Sequence, residues 1–513
     1  MILQEIFLLI LFIALLGGIL SGIPAMLAIA GMPLVVGVIG SFFGAFDLGF
    51  LKFFPARIWG IMTNSLLMAV PLFVAMGVLL EKANLAERML TVLARMMGGT
   101  ARGLGLSVLL FSTMIAAATG IIGATIVMLV LVSLRPMLDA GVPATRASGL
   151  ICAAGTLGQI IPPSILLVLL GDQIGNTYME AQQRAGNFAP TAVSVGDLFA
   201  GALIPGLLLV AIYGVYLMFV LRPAKGAPVT KREPVPLGDI LFTFLPPMLL
   251  ILSVLGSILA GVATATEAAG LGAVGALLMA AFMADKRRVG RAVLVAAGLA
   301  AFALVALRSA GFDRAAPGSF AGALAVVAAL FIAFGTIYGG GRLWRTGVLG
   351  EALSETMKIS GMVFGIIISA SLLALVFRGF GGDHIVTTLL TSMPGGEFGA
   401  LMLVMLVVFL LGFILEAVEI IYIVVPLLGP AILGGDISPV WFGVLLAMNL
   451  QTSFLTPPFG FALFYYRSVA PRSIPTGAIY RGVLPFVALQ LLALVMIYLF
   501  PDLATWLPSK VFG

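Results

Sequence analysis

Cysteine and histidine are almost absent from this chain of 513 residues, which contains one of each, Cys152 and His384. A single cysteine cannot form a disulfide within the chain. Zinc and haem or iron–sulfur sites need several such ligands, so we expect no cofactor of these kinds. The motifs of a nucleophile elbow, a P-loop and an HExxH metalloprotease are also missing. An enzyme built on a nucleophile–base pair or a metal triad therefore has little to work with.

Charged side chains are also scarce, at 9% of residues, whereas soluble domains carry about 25%. Hydrophobic residues make up 61% of the chain. Apolar runs of about 18 or more residues recur along its length, and each can cross the hydrocarbon core of a membrane. The sequence therefore predicts an all-α polytopic membrane protein embedded in a lipid bilayer. The net charge of +6 requires no nucleic-acid partner, because lysine and arginine in cytoplasmic loops account for it.

Basic side chains concentrate in three connecting segments, each separated from the next by a pair of apolar segments. They contain the following residues: Arg222, Lys225, Lys231 and Arg232; Lys286, Arg287, Arg288 and Arg291; Arg342 and Arg345. This spacing puts all three on one side of the membrane, and the positive-inside rule makes that side the cytoplasm. The polar stretch 172–197 lies one helix earlier, so we expect an outward-facing loop there.

The basic linker at 222–239 divides the chain into a first half, 1–221, and a second half, 240–513. Each half contains an apolar segment interrupted by two prolines, in GTLGQIIPPSI and in QTSFLTPPFGF. Interrupted segments at corresponding places in two halves are the best sequence indication of a secondary transporter's binding site.

The double prolines open the backbone at membrane depth. Proline has no N–H and disfavours a helical conformation in the residue before it, so carbonyl oxygens of the preceding turn lose their partners. Irregular backbone survives there only if it is buried in protein or lines a wet cavity. The alternative is a packing kink whose hydroxyls bond back to the preceding turn. The candidate ion and substrate ligands of the two breaks and of the small-residue segment upstream are Ala118, Thr119, Gly120, Gly158, Gln159, Pro162, Pro163, Ser164, Gln451, Thr452, Ser453, Thr456, Pro457 and Pro458.

Glu416 and Glu419, in LLGFILEAVEIIYIVVP, are three positions apart and so lie on one helical face. A carboxylate inside a bilayer segment is costly and marks an ion or substrate pathway by default. The pair could bind a cation, carry a proton or pair with an arginine, and the alternative is the polar end of a helix. Glu267, in TATEAAGLG, is either a third buried acid or part of a helix N-terminal cap.

Four ordered motifs carry a resemblance to a known family: PLFVAMGVLLEKANLAERML, GTLGQIIPPSILLVLLG, TATEAAGLGAVGALLMA and NLQTSFLTPPFGFALFYYRSVAP. With them, most of the chain resembles the large membrane subunit of tripartite ATP-independent periplasmic (TRAP) transporters. The last motif is similar to the mannitol/chloroaromatic or keto-acid type branch. Two departures stand out: Ala116-Ala117-Ala118 replaces the common Gly-Ser-Ser of the first hairpin, and Thr264-Ala265-Thr266-Glu267 replaces Thr-Pro-Thr-Glu.

The resemblance implies an inverted-repeat, elevator-type fold of the ion transporter superfamily, with discontinuous helices and two helical hairpins at about 104–171 and 399–470. The stretch from about 285 to 350 departs from this family, because it exceeds the common large subunit by roughly a helix pair. Na⁺ would be bound by backbone carbonyls near four residues: Gly120, Pro162, Thr456 and Pro457. The implied partners are a small four-helix membrane subunit and a periplasmic substrate-binding protein.

The predicted function is Na⁺-coupled import of a small carboxylate across the bacterial inner membrane, with the chain as the multi-pass permease subunit. An alternative with the same fold is an ion-coupled carrier or antiporter that needs no binding protein. An intramembrane enzyme and a structural scaffold are the alternatives from other classes. The scarcity of histidine and cysteine argues against the enzyme, and the matched broken helices argue against the scaffold.

Overall fold

The computed structural model of the chain describes residues 2–83, 85–97, 100–119, 122–221, 235–309 and 320–513. Over these residues the chain forms twenty-three α-helices and no strand. The prediction of an all-α membrane protein is confirmed. The spanning segments are helical because the bilayer offers no water to their backbone groups, which must pair within each helix.

Eleven helices precede the basic linker. Their bounds are α1 Ile2–Leu20, α2 Ala25–Phe42, α3 Phe54–Thr63, α4 Ala69–Lys82, α5 Leu85–Met96, α6 Ala101–Thr119, α7 Ile122–Leu129, α8 Arg135–Asp139, α9 Ala144–Thr156, α10 Ile165–Arg184 and α11 Val195–Val220. Short 3₁₀ turns precede α3 and α4, at Leu48–Phe53 and Ser65–Met68, and a third follows α9 at Leu157–Gln159. A π-helical segment, Val130–Leu134, joins α7 to α8.

Twelve helices follow the linker among the residues described. Their bounds are α12 Leu237–Leu259, α13 Ala265–Ala284, α14 Arg288–Ser309, α15 Phe320–Arg345, α16 Val348–Gly379, α17 Gly382–Thr391, α18 Glu397–Leu411, α19 Ala417–Leu433, α20 Pro439–Leu455, α21 Phe461–Val469, α22 Thr476–Leu499 and α23 Asp502–Val511.

Eleven helical stretches in the described part of the chain are long and apolar enough to cross a membrane. Four further helices, α6, α18, α19 and α20, contain apolar stretches of only 10–17 residues. A helix that ends at membrane depth needs neighbouring protein to satisfy its last backbone groups. These shorter helices therefore mark the part of the fold where a buried polar site can form.

Two pairs of consecutive helices form hairpins, α6 with α7 and α18 with α19, and the members of each pair pack on one another. The second pair is joined by residues 412–416. The broken helices follow them in the sequence: α9 and α10 after the first hairpin, and α20 and α21 after the second. We propose that this repeated order is the duplication that the paired prolines predict.

A close contact between α9 and α22 fixes the position of the first break. A Cβ atom on Gly149 would overlap the backbone of Gly482, and one on Gly482 would overlap Thr145. Small residues allow membrane helices to approach this closely. The hairpins and the broken helices form one set of packed helices. A second set, made of α1, α2, α4, α13 and α16, packs together elsewhere in the fold. Helix α10 contacts α4, and α19 contacts α16, so the two sets meet along these helices.

Helices α14 and α15 lie where the sequence predicts an extra helix pair. The Tyr338 hydroxyl donates to Asp285 Oδ2 at 2.6 Å, and the backbone N–H of Arg287 donates to Oδ1 at 2.9 Å. These hydrogen bonds stabilise the carboxylate and lower the pKa of Asp285. The start of α14 and the end of α15 therefore lie on the same side of the membrane, together with Arg342 and Arg345.

The expected loop at 172–197 is wrong in its first half, because α10 continues to Arg184. Asp172, Asn176, Glu180 and Arg184 recur every four positions, which places them along one side of a helix. Their polarity resembles that of a loop, but in the fold Asp172, Glu180 and Arg184 form hydrogen bonds with residues outside α10. Only the segment between α10 and α11 is a loop.

Candidate functional site

The first break lies between the 3₁₀ turn after α9 and the start of α10, at residues 160–164, all of which are buried. Pro162 and Pro163 are joined by a cis peptide bond. Ser164 ends the break by capping α10: its hydroxyl accepts from the backbone N–H of Leu167 at 3.4 Å. The same hydroxyl donates to the Gln159 carbonyl at 3.0 Å. The chain thus leaves one helix and starts another entirely inside the protein.

The second break lies between α20 and α21, at residues 456–460, and contains the cis bond of Pro457–Pro458. Pro457 is half-buried and Pro458 is exposed. The Pro458 carbonyl accepts a hydrogen bond from the Tyr480 hydroxyl at 3.1 Å. The Pro458 carbonyl therefore already has a hydrogen-bond partner. In the first break, neither proline carbonyl has one among the residues that the structure describes.

Hydroxyl groups at the end of α20 donate back to their own helix. The Oγ1 atom of Thr452 donates to the Met448 carbonyl at 2.8 Å, and that of Thr456 donates to the Thr452 carbonyl at 2.7 Å. Ser453 Oγ donates to the Leu450 carbonyl at 2.9 Å. This is the back-bonded geometry of the packing alternative. It uses the hydroxyl hydrogens and leaves oxygen lone pairs as acceptors.

The two broken helices meet each other inside the protein. Gln451 Nε2 on α20 donates to Thr156 Oγ1 at the end of α9, at 3.4 Å. The 3₁₀ turn that contains Gly158 and Gln159 also packs against α20 and α6. The structure therefore brings the polar residues around Gln159 and those around Gln451 into one buried region.

Two amide oxygens in this region lack partners. Gln159 Oε1 and Gln451 Oε1 are buried, and neither accepts a hydrogen bond in the part of the chain that the structure describes. A buried amide oxygen without a partner lowers the stability of the fold by its desolvation penalty, about 1–3 kcal/mol. A bound ion or water molecule is the usual explanation for such atoms.

Each hairpin is bonded to the broken helix of its own half. Ser112 Oγ on α6 donates to the Ala154 carbonyl on α9 at 2.7 Å. Asn449 Nδ2 on α20 donates to the Met405 carbonyl on α18, also at 2.7 Å. All four residues are buried or nearly so. These bonds position the hairpins against the breaks.

The tip of the first hairpin is where the sequence predicts Ala118, Thr119 and Gly120 as ligands. Gly120 lies outside the described residues, and so do the side chains of Ala118 and Thr119 at the end of α6. Their assignment stays a prediction.

The tip of the second hairpin presses against α20. A Cβ atom on Gly412 would overlap Ser453 Oγ. Glu416 immediately precedes α19, and its backbone N–H donates to Glu419 Oε2 at 3.1 Å. Glu419 is buried, with 4% of its surface exposed. Among the described residues, no hydrogen bond or ion pair links either glutamate to the proline pairs or to an arginine.

Glu267 is exposed and belongs to a capping box at the start of α13. Its Oε2 accepts from the backbone N–H of Thr264 at 2.8 Å, while the Thr264 hydroxyl accepts from the Glu267 N–H at 3.3 Å. The capping interpretation is the one that fits, because both groups have their expected partners.

Comparison with known proteins identifies the family to which this arrangement belongs. The sequence profile of the tripartite ATP-independent periplasmic transporter, DctM component, matches residues 7–316 and 286–503. The chain belongs to this family. Its predicted resemblance to TRAP large subunits is confirmed.

Among its relatives, the C4-dicarboxylate TRAP transporter large permease protein DctM of Vibrio cholerae is 27% identical over 87% of this chain and 86% of the relative. The sialic acid TRAP transporter large permease protein SiaM of the same organism is 26% identical over 93% of this chain and 98% of the relative. The crystal structure of the Alcanivorax borkumensis YdaH transporter matches with a TM-score of 0.53 over 90% of both chains, at 14% identity. That likeness concerns the fold alone.

The DctM-family chain is accordingly a transporter permease and not an enzyme. It is a multi-pass protein of the bacterial inner membrane, with the spans described above.

Asp172 is a polar residue of this DctM-family chain whose tertiary contacts the sequence did not predict. Asp172 accepts from Asn64 Nδ2 at 3.0 Å and from the Tyr422 hydroxyl at 3.2 Å. It was hidden in the stretch interpreted as a loop. The four-residue spacing of Asp172, Asn176 and Glu180 is the signal that could have revealed it, because it indicates one face of a helix.

Proposed function

We propose that this permease imports a small organic acid together with Na⁺, by movement of the hairpins and broken helices relative to the remaining helices. A periplasmic binding protein delivers the substrate, and a small four-helix membrane subunit supports the immobile part. The family is named tripartite, and this name supports the presence of two further components. The substrates named for the two relatives above, C4-dicarboxylates and sialic acid, are organic anions, which supports the substrate class.

The pair of unpartnered oxygens, Gln159 Oε1 and Gln451 Oε1, is the observation that carries the proposal. Amide and carbonyl oxygens suit hard cations. Broken membrane helices expose such carbonyls at midplane sites of secondary transporters. Carbonyls near Pro162, Thr456 and Pro457 would complete the ligand set around the two glutamines, with Gly120 as a further member.

The chain's own residues have two tasks in this function, and the bound ion has one. The two breaks hold oxygen atoms in a buried region where water is scarce. Na⁺ supplies positive charge, so that an anion can enter the same region without an uncompensated charge. The hairpins, bonded to the breaks through Ser112 and Asn449, move with them as one body.

The proposal is tested by reconstituting the chain with its two partners in liposomes and measuring uptake with and without an inward Na⁺ gradient. We expect uptake to require external Na⁺. Gln451→Leu should lower uptake at limiting Na⁺ by about tenfold or more, because an interaction with a charged partner contributes about 1.5–3 kcal/mol. Raising the Na⁺ concentration should restore part of the loss.

Gln490→Leu is the matched control. Gln490 on α22 is another fully buried glutamine, next to the Tyr213 hydroxyl, and it lies in neither break. It should leave the Na⁺ dependence unchanged. If wild-type uptake continues without Na⁺ and stops when the pH gradient is collapsed, Na⁺ coupling is wrong and Glu416 or Glu419 becomes the proton carrier.

A further inference from the structure

A separate polar cavity of about 520 Å³ lies away from the proline breaks, where α3 and α16 face α10 and α19. Its volume is within the range of small-molecule sites, about 300–1,000 Å³. The polar and charged groups that matter are Arg57, Asn64, Asp172, Glu180, Ser371 and Arg378. The function proposed above uses none of them.

The cavity is on the extracytoplasmic side of the membrane. Helix α16 begins at Val348, just after the basic end of α15, and has 32 residues. At 1.5 Å per residue it is about 48 Å long, more than the thickness of the hydrocarbon core. Arg378, at its far end, is therefore on the side opposite the cytoplasmic Arg345.

The carboxylates in and beside this cavity already have donors. Asp172 accepts from Asn64 and Tyr422, and from Asn176 at 3.4 Å. Glu180 accepts from Arg378 Nη2 at 3.0 Å and from Arg184 Nη2 at 2.7 Å.

The neighbouring Asp383 accepts from Arg184 at 3.0 Å, and Arg378 Nε lies 3.6 Å from it. Arg57 is different. Among the residues described, no carboxylate forms an ion pair with its guanidinium. Arg57 is half-buried, and burial together with the positive charge of Arg378 lowers the pKa of Arg57, although the nearby carboxylates of Glu180 and Asp383 oppose this shift without forming an ion pair with Arg57 in the described structure. A guanidinium nevertheless stays protonated in proteins.

The boundary between the two sets of helices runs through the cavity. The Asn64–Asp172 hydrogen bond joins the junction between α3 and the 3₁₀ turn before α4 to α10, and the Arg378–Glu180 pair joins α16 to α10. A ligand in the cavity would touch both sets at once. A planar guanidinium without a partner matches a carboxylate, which it can bind with two parallel hydrogen bonds.

We propose that this cavity is an extracytoplasmic subsite for the carboxylate of an organic anion, with Arg57 as its principal ligand. The anion contacts Arg57 before it reaches the buried region between the breaks. This inference rests on the proposed import of an organic acid for its biological meaning, but the binding itself is measurable without transport.

The test uses the fact that Cys152, the one native cysteine, is fully buried. Thr63→Cys places a thiol on the cavity wall in the full-length chain, purified in a zwitterionic detergent. Its reaction rate is measured with an anionic and a cationic methanethiosulfonate reagent of similar size, MTSES and MTSET. Removing one nearby charge in Arg57→Gln should lower the MTSES-to-MTSET rate ratio by about tenfold, because the two reagents respond in opposite directions. Succinate, as a probe carboxylate, should slow MTSES labelling only when Arg57 is present.

Lys52→Gln is the matched control, since Lys52 is an exposed cation in the neighbouring 3₁₀ turn and does not line the cavity. It should leave the ratio unchanged. The proposal fails if Arg57→Gln leaves the ratio unaltered, or if Lys52→Gln changes it equally. It also fails if neither Thr63→Cys nor Ser371→Cys reacts, because the cavity is then closed to solutes.

The outcomes separate this inference from the proposed function. Labelling that depends on Arg57, together with an absence of Na⁺-driven uptake, would retain the subsite and reject the transport proposal. Na⁺-driven uptake with labelling indifferent to Arg57 would do the reverse.

Discussion

Glu419 is a buried carboxylate whose only hydrogen bond in the described structure comes from the backbone N–H of Glu416. A carboxylate at the first turn of a helix benefits from the helix dipole and from the free N–H groups there. That explains why the sequence tolerates it at the start of α19. Capping does not explain why Glu419 is buried, however, because the exposed Glu267 forms the same kind of cap at the start of α13.

Glu419→Gln should lower the rate of uptake by about tenfold, because the variant lacks the negative charge at this position. This factor corresponds to about 1.4 kcal/mol. Glutamine keeps an oxygen that can accept from Glu416, so the cap and the fold should persist. Uptake in liposomes and the unfolding temperature of the purified chain are the two measurements.

Glu397→Gln serves as the control, because Glu397 is an exposed acid in the first turn of the other helix of the same hairpin. It should transport like the unaltered chain. Unimpaired uptake in Glu419→Gln would remove Glu419 from the site. Equal losses in both variants would point to a general effect of charge on the hairpin.

Gln159 and Gln451 could be chosen from the sequence because they flank the double prolines. The hydrogen bond from Gln451 to Thr156 could not be predicted, because the two residues are far apart in the chain and no local pattern encodes the crossing of α9 with α20. The same holds for the unpartnered state of the two amide oxygens, which depends on every side chain packed around them.

The second hairpin and α20 touch where Gly412 faces Ser453. Since an added Cβ would overlap Ser453 Oγ, Gly412→Ala should separate the hairpin tip from the broken helix. We expect a lower unfolding temperature and reduced uptake, because inserting a methyl group in a packed interior costs about 1–3 kcal/mol.

Gly412→Ala combined with Ser453→Gly should recover part of the loss, since the opposing atoms are gone. Ser453→Gly alone should destabilise α20 by less than about 1 kcal/mol, because that value is the helix-propensity difference between alanine and glycine and serine lies between them. The unfolding temperatures of the four proteins form a double-mutant cycle. Strictly additive effects would show that the two residues are not in contact.

Helix ends at the prolines were predictable because proline acts locally. The extent of α10 was not predicted correctly, because Asp172, Asn176 and Glu180 have the composition of a loop. Asp172 and Glu180 have partners outside α10: Asn64 at the end of α3, Tyr422 on α19 and Arg378 on α16. Tertiary hydrogen bonds therefore hold this partly buried, polar part of α10 against its neighbours, and only the four-residue spacing indicated it.

Charge is distributed differently at the two membrane faces. On the face predicted to be the outer one, Arg184 and Arg378 are paired with Glu180 and Asp383. The positive-inside rule counts lysine and arginine near the ends of spans and gives acids little weight, so both arginines still count on that face. The cytoplasmic assignment then depends chiefly on the basic connections at the start of α14 and the end of α15.

Single cysteines can test this orientation, because buried Cys152 should give no background labelling in the folded chain. Phe188→Cys, at a residue 82% exposed between α10 and α11, should react with a membrane-impermeant maleimide added to intact spheroplasts. Arg345→Cys, at the exposed end of α15, should react only after the membrane is opened. The reverse pattern would invert the topology. The cavity around Arg57 would then open to the cytoplasm, where it could receive no substrate from a periplasmic binding protein.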